Sequence, residues 1–427
     1  MLITLLFILL VTIFCLRGRV ENIICLLICI LPFHGFISDL LTYYIGDPGL
    51  FPMWRDVCCL FLFVKVFLAK NKSSRSSILN AFIIMSMVYI TFILMIFWGK
   101  YEKGISFYRI YMDALCIIYV LSQTNLSSMA YRQIAKTFIF ISLLACISGF
   151  VQYFILREYL HIIFDHYEIT PMGTLAFKSP SWTIMGYERM AGFVGGPNNF
   201  GVYMSIVILV SFALKDEYGR ILHRAESLLL TIVLLLSCFC LLLSFSRAGW
   251  GIVFVAFLLY QYRKYGMKKI IPIMISFVLF VGFVLILVYL AFPEASEIIE
   301  GTFSGQESSS ASRASMVQDS YEILLGSLYG NGIGSADVET GRFFAESSML
   351  NLTFELGIQG VILWYLILLI GLFICFRKHR FLPNVAYSLL IPSIIVSIAS
   401  VNVMSWPFIY YLYGIIGLGV NISLIKQ

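Results

Sequence analysis

The segments SSSASRASMVQDSYEILLGSLYGNGIG (residues 308–334) and GRFFAESSMLNLTFELGIQG (residues 341–360) change character within a few residues. The first is rich in Ser, Gly and charge. The second opens an apolar run of about thirty residues, longer than the roughly twenty needed to cross a bilayer. Within that run Ser348, Asn351, Glu355 and Gln359 recur at three- and four-residue spacing, on one face of an otherwise apolar cylinder. Such a face looks at protein or water, not at lipid. The polar part carries two arginines, Arg313 and Arg342, and the carboxylates Asp319 and Glu346. Residues 292–345 therefore read as a long water-facing loop, and with the helix after it as half of a candidate site.

Outward from this stretch, composition sets the class. The chain has 427 residues, 60% hydrophobic, 16% aromatic and only 12% charged, with a mean hydropathy of +0.92. No soluble core needs that much apolar surface, so the expected fold is all-α, a single polytopic transmembrane bundle over residues 1–427. The net charge of +6 comes from short Lys/Arg clusters between apolar runs, which reflects loop bias in a membrane protein rather than nucleic-acid binding. All ten cysteines lie in apolar runs, where a thiol is a small hydrophobe, so neither disulfides nor a structural zinc site are expected. Residues 2–16 lack a basic leader and a small-residue cleavage site and read as a membrane segment that stays on the protein.

Runs long enough to cross a bilayer number about thirteen, or twelve if the short first one is left out. They begin near Leu2, Ile23, Asp56, Leu79, Arg109, Ile134, Asn198, Ser227, Gly249, Ile270, Glu346, Asn384 and Trp406. Basic clusters (Arg17/Arg19, Lys70/Lys72/Arg75, Arg132/Lys136, Lys215/Arg220/Arg224, Arg263/Lys264/Lys268/Lys269, Arg377/Lys378/Arg380, Lys426) fall in alternate loops, which assigns those loops to the cytoplasm. By parity the other loops are extracytoplasmic. Two of these, residues 155–197 and 292–345, are long, and loops of that length are usually functional or disordered. The sequence shows no internal repeat and no pair of Gly/Pro-broken helices of the kind that inverted-repeat transporters carry.

Arginines on the outer side run against the charge bias. Arg189 precedes GFVGGPNNFG (residues 192–201), where glycines and a proline break the chain before a helix starts near Asn198. Such a turn presents backbone N–H groups at a helix N-terminus, a natural place for an anion. Arg247 sits in SFSRAGWG (residues 244–251) between two apolar runs. A single interfacial arginine can be a headgroup anchor; Arg189, Arg247, Arg313 and Arg342 together can hold a diphosphate bidentately. Glu346 lies beside them, either as a general base or as a charge stabilising a helix N-terminus. Asn351 could hydrogen-bond Glu355, which reads as structural. His161, Asp165, His166 and Glu168 match no strong metal-ligand spacing. Arg55/Asp56 and Arg109/Asp113 read as local ion pairs at the outer ends of helices, and Lys65 as a snorkelling side chain.

The motifs RMAGFVGGPNNFG (residues 189–201), SFSRAGWG, the Arg313 segment ending in GNGIG, and ESSMLNLTFELGIQG (residues 346–360), in this order, resemble the O-antigen polymerase and O-antigen ligase superfamily over roughly residues 130–380. The resemblance implies a metal-independent, GT-C-like glycosyltransferase of the bacterial inner membrane. It would act on the periplasmic face on undecaprenyl-diphosphate-linked glycans, as donor and acceptor, with membrane lipids around it and a chain-length regulator protein as a further candidate partner. It also implies that Arg189, Arg247, Arg313 and Arg342 bind the diphosphate or glycan; Asn198, Asp319 and Asn351 are further substrate-binding candidates. Catalysis would fall to Glu346 with Arg313 and Arg342. Ligase-like members usually show a His-Asn pair where this chain has Glu346-Ser347, which favours the polymerase branch and bars transfer of a histidine-based mechanism. No cofactor, metal or nucleic acid is implied. The alternatives are a ligase moving glycan to a lipid A core and, as a different class, a lipid-linked-sugar transporter or flippase, which should bring charges to mid-membrane.

Overall fold

A computed structural model describes residues 2–45, 50–69, 77–101, 103–155, 167–169, 175–177, 183–184, 187–219, 223–268, 270–272, 274–275, 328–336, 347–400 and 407–424. The described helices are α1 (Leu2–Arg17), α2 (Val20–Ile30), α3 (His34–Ile45), α4 (Met53–Leu68), α5 (Ser77–Ile96), α6 (Gly104–Gln123), α7 (Ser128–Phe150), α8 (Pro197–Tyr218), α9 (Arg224–Ser244), α10 (Arg247–Tyr265), α11 (Ser348–Phe376), α12 (Phe381–Ala399) and α13 (Phe408–Leu424). A 3-10 turn at Leu31–Phe33 joins α2 to α3, and together they make one span, Val20–Tyr44. Helices therefore occupy twelve of the thirteen expected positions; the run near Ile270 falls largely outside the described residues. Among the described residues, eight spans are long and apolar enough to cross a membrane. Two small antiparallel hairpins, β1 (Tyr167–Ile169) with β2 (Leu175–Phe177) and β3 (Thr183–Ile184) with β4 (Tyr187–Glu188), stand in the 155–197 loop.

Local chemistry sets the helix starts. Ser127, Ser246 and Ser347 each accept from a backbone N–H three residues on, at 3.2, 3.2 and 3.3 Å, which satisfies one of the four orphan donors of α7, α10 and α11. Packing then separates core from lipid. α8 lies at the centre, with Phe200, Tyr203, Met204, Ile206 and Val207 fully buried, between α9, α10, α12 and α13. By contrast, Leu228, Ile232, Leu235, Phe239 and Leu242 of α9 are all exposed. They recur at three- and four-residue spacing and form one apolar stripe, which in a folded protein has its place against hydrocarbon.

The bundle has two chemically distinct ends. At one, Arg132 and Lys136 pair with Glu226 and Lys65 Nζ donates to Leu16 O. At the same end Arg263 donates to the carbonyls of Cys375, Phe376 and Lys378 while its guanidinium packs over the rings of Phe376 and Tyr387. Arg263 is thereby the C-terminal cap of α11. The described basic clusters gather here, as the alternation of the sequence requires.

At the opposite end the structure joins the two expected ion pairs into one network. Arg55 keeps its local partner Asp56 at 3.6 Å, but its shorter contact is to Asp113 of α6 at 2.9 Å, and Arg109 of α6 pairs with Asp56 of α4. The network thus crosses between helices as well as staying local, and Arg55 and Asp113 are both buried, with Arg55 over the Tyr410 ring. Removing one partner leaves a buried charge uncompensated, whereas removing both costs little. Arg55→Ala is expected to destabilise the bundle by about 3–5 kcal/mol, and Arg55→Met with Asp113→Leu to recover most of it. Thermal unfolding in detergent checks this, and a double variant no better than Arg55→Ala would contradict it.

Candidate functional site

The end that carries Arg55 also carries the described outer-loop arginines. After β4 the chain reaches Arg189, and Met190 N donates to Leu243 O at 2.9 Å, drawing the segment over the C-terminus of α9. Arg189 Nε then donates to Ser244 O (2.9 Å), and its Nη2 donates to Phe245 O (3.3 Å) and Asn198 Oδ1 (2.6 Å). These carbonyls are orphans of a helix end, and Phe245 there has a left-handed φ of 49°. The following turn is tied down as well. Ala191 N and Gly192 N donate to Gln152 Oε1, Phe193 N donates to Ser148 Oγ, and the Phe193 ring stacks on Phe36 of α3 at 4.1 Å.

This turn delivers the N-terminus of α8 against the N-terminus of α10. Ser246 Oγ donates to Asn198 O at 3.4 Å. At the crossing of the two helices, a Cβ on Gly249 would come within 2.6 Å of Gly201 O, and one on Gly201 within 2.3 Å of Ser246 Cβ. Only glycine at both positions lets the backbones meet. Two helix N-termini, each with the positive end of its dipole, therefore stand side by side. Arg247, the first residue of α10, is exposed there. Burial, with the Arg247 charge beside it, lowers Arg189 to about 10, which still leaves it cationic at neutral pH. Of the two arginines, Arg189 is the buried strut and Arg247 the one presented outward.

The second constellation is built on α11, and sequence reasoning did not foresee it. Gly357 breaks the helix, with φ 71° and ψ 176°. The interruption opens carbonyls that the GNGIG segment takes up: Asn331 N donates to Phe354 O (2.8 Å) and Gly332 N to Glu355 O (3.1 Å). Tyr89 Oη donates to Leu356 O at 2.7 Å. Glu355 is almost fully buried and accepts from Tyr111 Oη at 2.7 Å and from Gly334 N at 3.1 Å. Glu355 is thus the clamp that holds the 328–336 segment to α11 and α6. A second span, Val20–Tyr44, is interrupted by the 3-10 turn at Pro32, but the two breaks do not fall in corresponding halves of the chain, so they do not form the inverted-repeat pair whose absence the sequence indicated. The available signal was the glycine in FELGIQG, inside a run otherwise fit for an unbroken helix.

The remaining candidates divide plainly. The helix face is present in part: Ser348 and Glu355 are buried and Asn351 is half-buried, whereas Gln359, beyond the break at Gly357, is exposed. Ser347 supplies the capping hydroxyl of α11, and Ser348 Oγ donates to Ser400 O at 2.7 Å, pinning the helix start to the end of α12. Arg313, Asp319, Arg342 and Glu346 lie outside the described residues, as do His161, Asp165 and His166 and most of the 292–345 loop. The structure therefore brings together Arg189, Asn198 and Arg247 from the predicted set. The chain matches no protein-family model, and no curated protein matches it significantly.

Proposed function

We propose that the chain is a polysaccharide polymerase that joins undecaprenyl-diphosphate-linked oligosaccharide units on the outer face of the bacterial inner membrane. The observation that carries this reading is Arg247, exposed where the N-termini of α8 and α10 adjoin and braced there by the buried Arg189, at the end opposite the basic clusters. A diphosphate is the ligand class that this combination of guanidiniums and helix N-termini favours.

In the reaction, an acceptor sugar hydroxyl attacks the anomeric carbon of the donor. A new C–O bond forms as the bond to the diphosphate oxygen breaks, and the diphosphate leaves with the electron pair. Arg247, fixed at a helix N-terminus, stabilises that developing charge with no reorganisation at the moment of reaction. Arg189 and Asn198 hold the two helix starts in place. The hydroxyl proton goes to a base, for which Glu346 is the candidate, and the clamp at Glu355 fixes the loop segment from which Arg313 and Arg342 extend in either direction along the chain. Among the described residues, the carboxylates buried inside spans are committed to protein partners, Asp113 to Arg55 and Glu355 to Tyr111 and Gly334 N. That weighs against the transporter reading, which needs mid-membrane charge available to cargo.

The test is reconstitution. Purified protein given only undecaprenyl-diphosphate-linked repeat units, without nucleotide, added metal or core acceptor, should produce a ladder of longer lipid-linked chains. Units that are never extended, together with transfer of preformed polymer to lipid A core when core is supplied, would replace the polymerase by the ligase.

A further inference from the structure

At the basic end, away from Arg189 and Arg247, the bundle holds an open-sided cavity of about 1120 Å³ lined by α2, α4, α6, α7, α8, α9, α12 and α13. That exceeds the roughly 300–1,000 Å³ of ordinary small-molecule sites. Its inner walls are aliphatic and aromatic, among them Leu27, Leu31, Ile117 and Phe138. Its charged lining is confined to the mouth, where Arg132, Lys136 and Arg380 face Glu217 and Glu226. An apolar shaft with charges at one end only is the shape of an amphiphile.

Two further observations fix which amphiphile. The first is depth. Along α13 the lining runs from Ile422 to Tyr410, about 18 Å at 1.5 Å per residue, against a hydrocarbon core of about 30 Å. The shaft therefore reaches through one leaflet and stops at Tyr410, a length that suits acyl chains and would cut short a long polyprenyl chain. The second is charge. Glu226 is held between Arg132 at 3.1 Å and Lys136 at 2.8 Å, while Lys264 is shared by Glu217 at 3.0 Å and Asp216 at 2.7 Å. The cations on Glu226 leave one positive charge over, the carboxylates on Lys264 leave one negative, and Arg380 makes the mouth net positive. The mouth is complementary to a phosphodiester that carries no compensating ammonium.

We propose that this cavity binds a phospholipid with a net anionic headgroup, drawn from the leaflet at the basic end. Its acyl chains would lie between α2, α7 and α13 and its phosphate at Arg132, Lys136 and Arg380. The site is separate from the arginine pair that carries the proposed polymerase reading, and it can be tested without turnover.

The experiment is native mass spectrometry of the detergent-extracted full chain after exposure to vesicles of phosphatidylglycerol, phosphatidylcholine or a mixture. One phosphatidylglycerol per chain should be retained in preference to phosphatidylcholine. Lys136→Gln and Arg380→Gln should each weaken that retention roughly fivefold, as expected for about one surface cation apiece, while leaving phosphatidylcholine retention unchanged. Ala135→Trp, which places an indole among the lining residues, should abolish retention of the bound lipid. If that variant does not fold, the two glutamine variants decide the matter alone. Equal retention of both lipids, unchanged retention in the glutamine variants, or displacement of phosphatidylglycerol by polyprenyl phosphate would each overturn the proposal.

Discussion

Arg247→Ala is expected to lower polymer output by about 10²–10³-fold, the usual cost of removing one preorganised donor to a developing anion, while the protein inserts and folds normally. The argument is positional. Arg247 is exposed at the first turn of α10, so its loss removes charge from the site without opening the core. Arg247→Lys keeps the charge and loses the planar fork, and should recover only part of the output. Arg377→Ala, at the opposite end and resting over Phe373, should leave output unchanged. Ladder intensity per unit of folded protein measures all three. Wild-type output from Arg247→Ala would return this arginine to the role of a headgroup anchor.

The second large effect is expected from one methyl group. Gly357→Ala places a Cβ 2.3 Å from Leu328 O and 2.6 Å from Gly330 N, on a backbone with φ 71°. The backbone conformation alone costs an L-residue about 1–3 kcal/mol, and the clash adds to it because both contacting atoms belong to the docked segment and not to a flexible side chain. The 328–336 segment should leave α11, exposing the buried Glu355 carboxylate and the carbonyls of Phe354 and Glu355. Polymer output should fall with it. Gly251→Ala is the matched comparison, since a Cβ there meets nothing within 4 Å and helix propensity favours alanine by about 0.5–1 kcal/mol. Protease cleavage within 328–336 reads the difference, and equal resistance of the two variants would mean that the segment is not held by this interruption.

How much of this was legible beforehand follows from how local each signal is. Apolar runs and the alternation of basic clusters are local, and they gave twelve of the helix positions and the two ends of the bundle. The turn from Arg189 to Gly201 was local too, because glycines and Pro197 announce a break and a new helix start, and Asn198 proved to be a direct partner of Arg189. Sequence could not say which arginine would be buried. That depends on the orphan carbonyls of Ser244 and Phe245, more than fifty residues away, finding Arg189 and not Arg247. The crossed pairing of Arg55 with Asp113 and the clamp on Glu355 are equally long-range. Sequence spacing could offer Asn351 as a neighbour of Glu355, but not Tyr111 and Gly334, which come to it from other elements. The lipid-sized cavity left no sequence mark, since its walls are ordinary core residues and only the fold sets them apart.

The crossed ion network also bears on how the chain enters the membrane in the first place. Inserting Asp or Arg at the centre of an isolated helix costs about 2.5–3.5 kcal/mol each, and α4 brings Arg55, Asp56 and Lys65 in only 16 residues. Within α4 only the longer Arg55–Asp56 contact, at 3.6 Å, is available; the closer partners, Asp113 and Arg109, belong to α6 and leave the ribosome later. Synthesis therefore produces α4 before its cross-helix partners exist. The first helices act as a unit whose lateral settling waits for α6, so the lipid bilayer accepts them by assembly and not one by one. In an Arg55→Met, Asp56→Leu chain that dependence should relax, and α4 should integrate in nascent chains truncated ahead of α6.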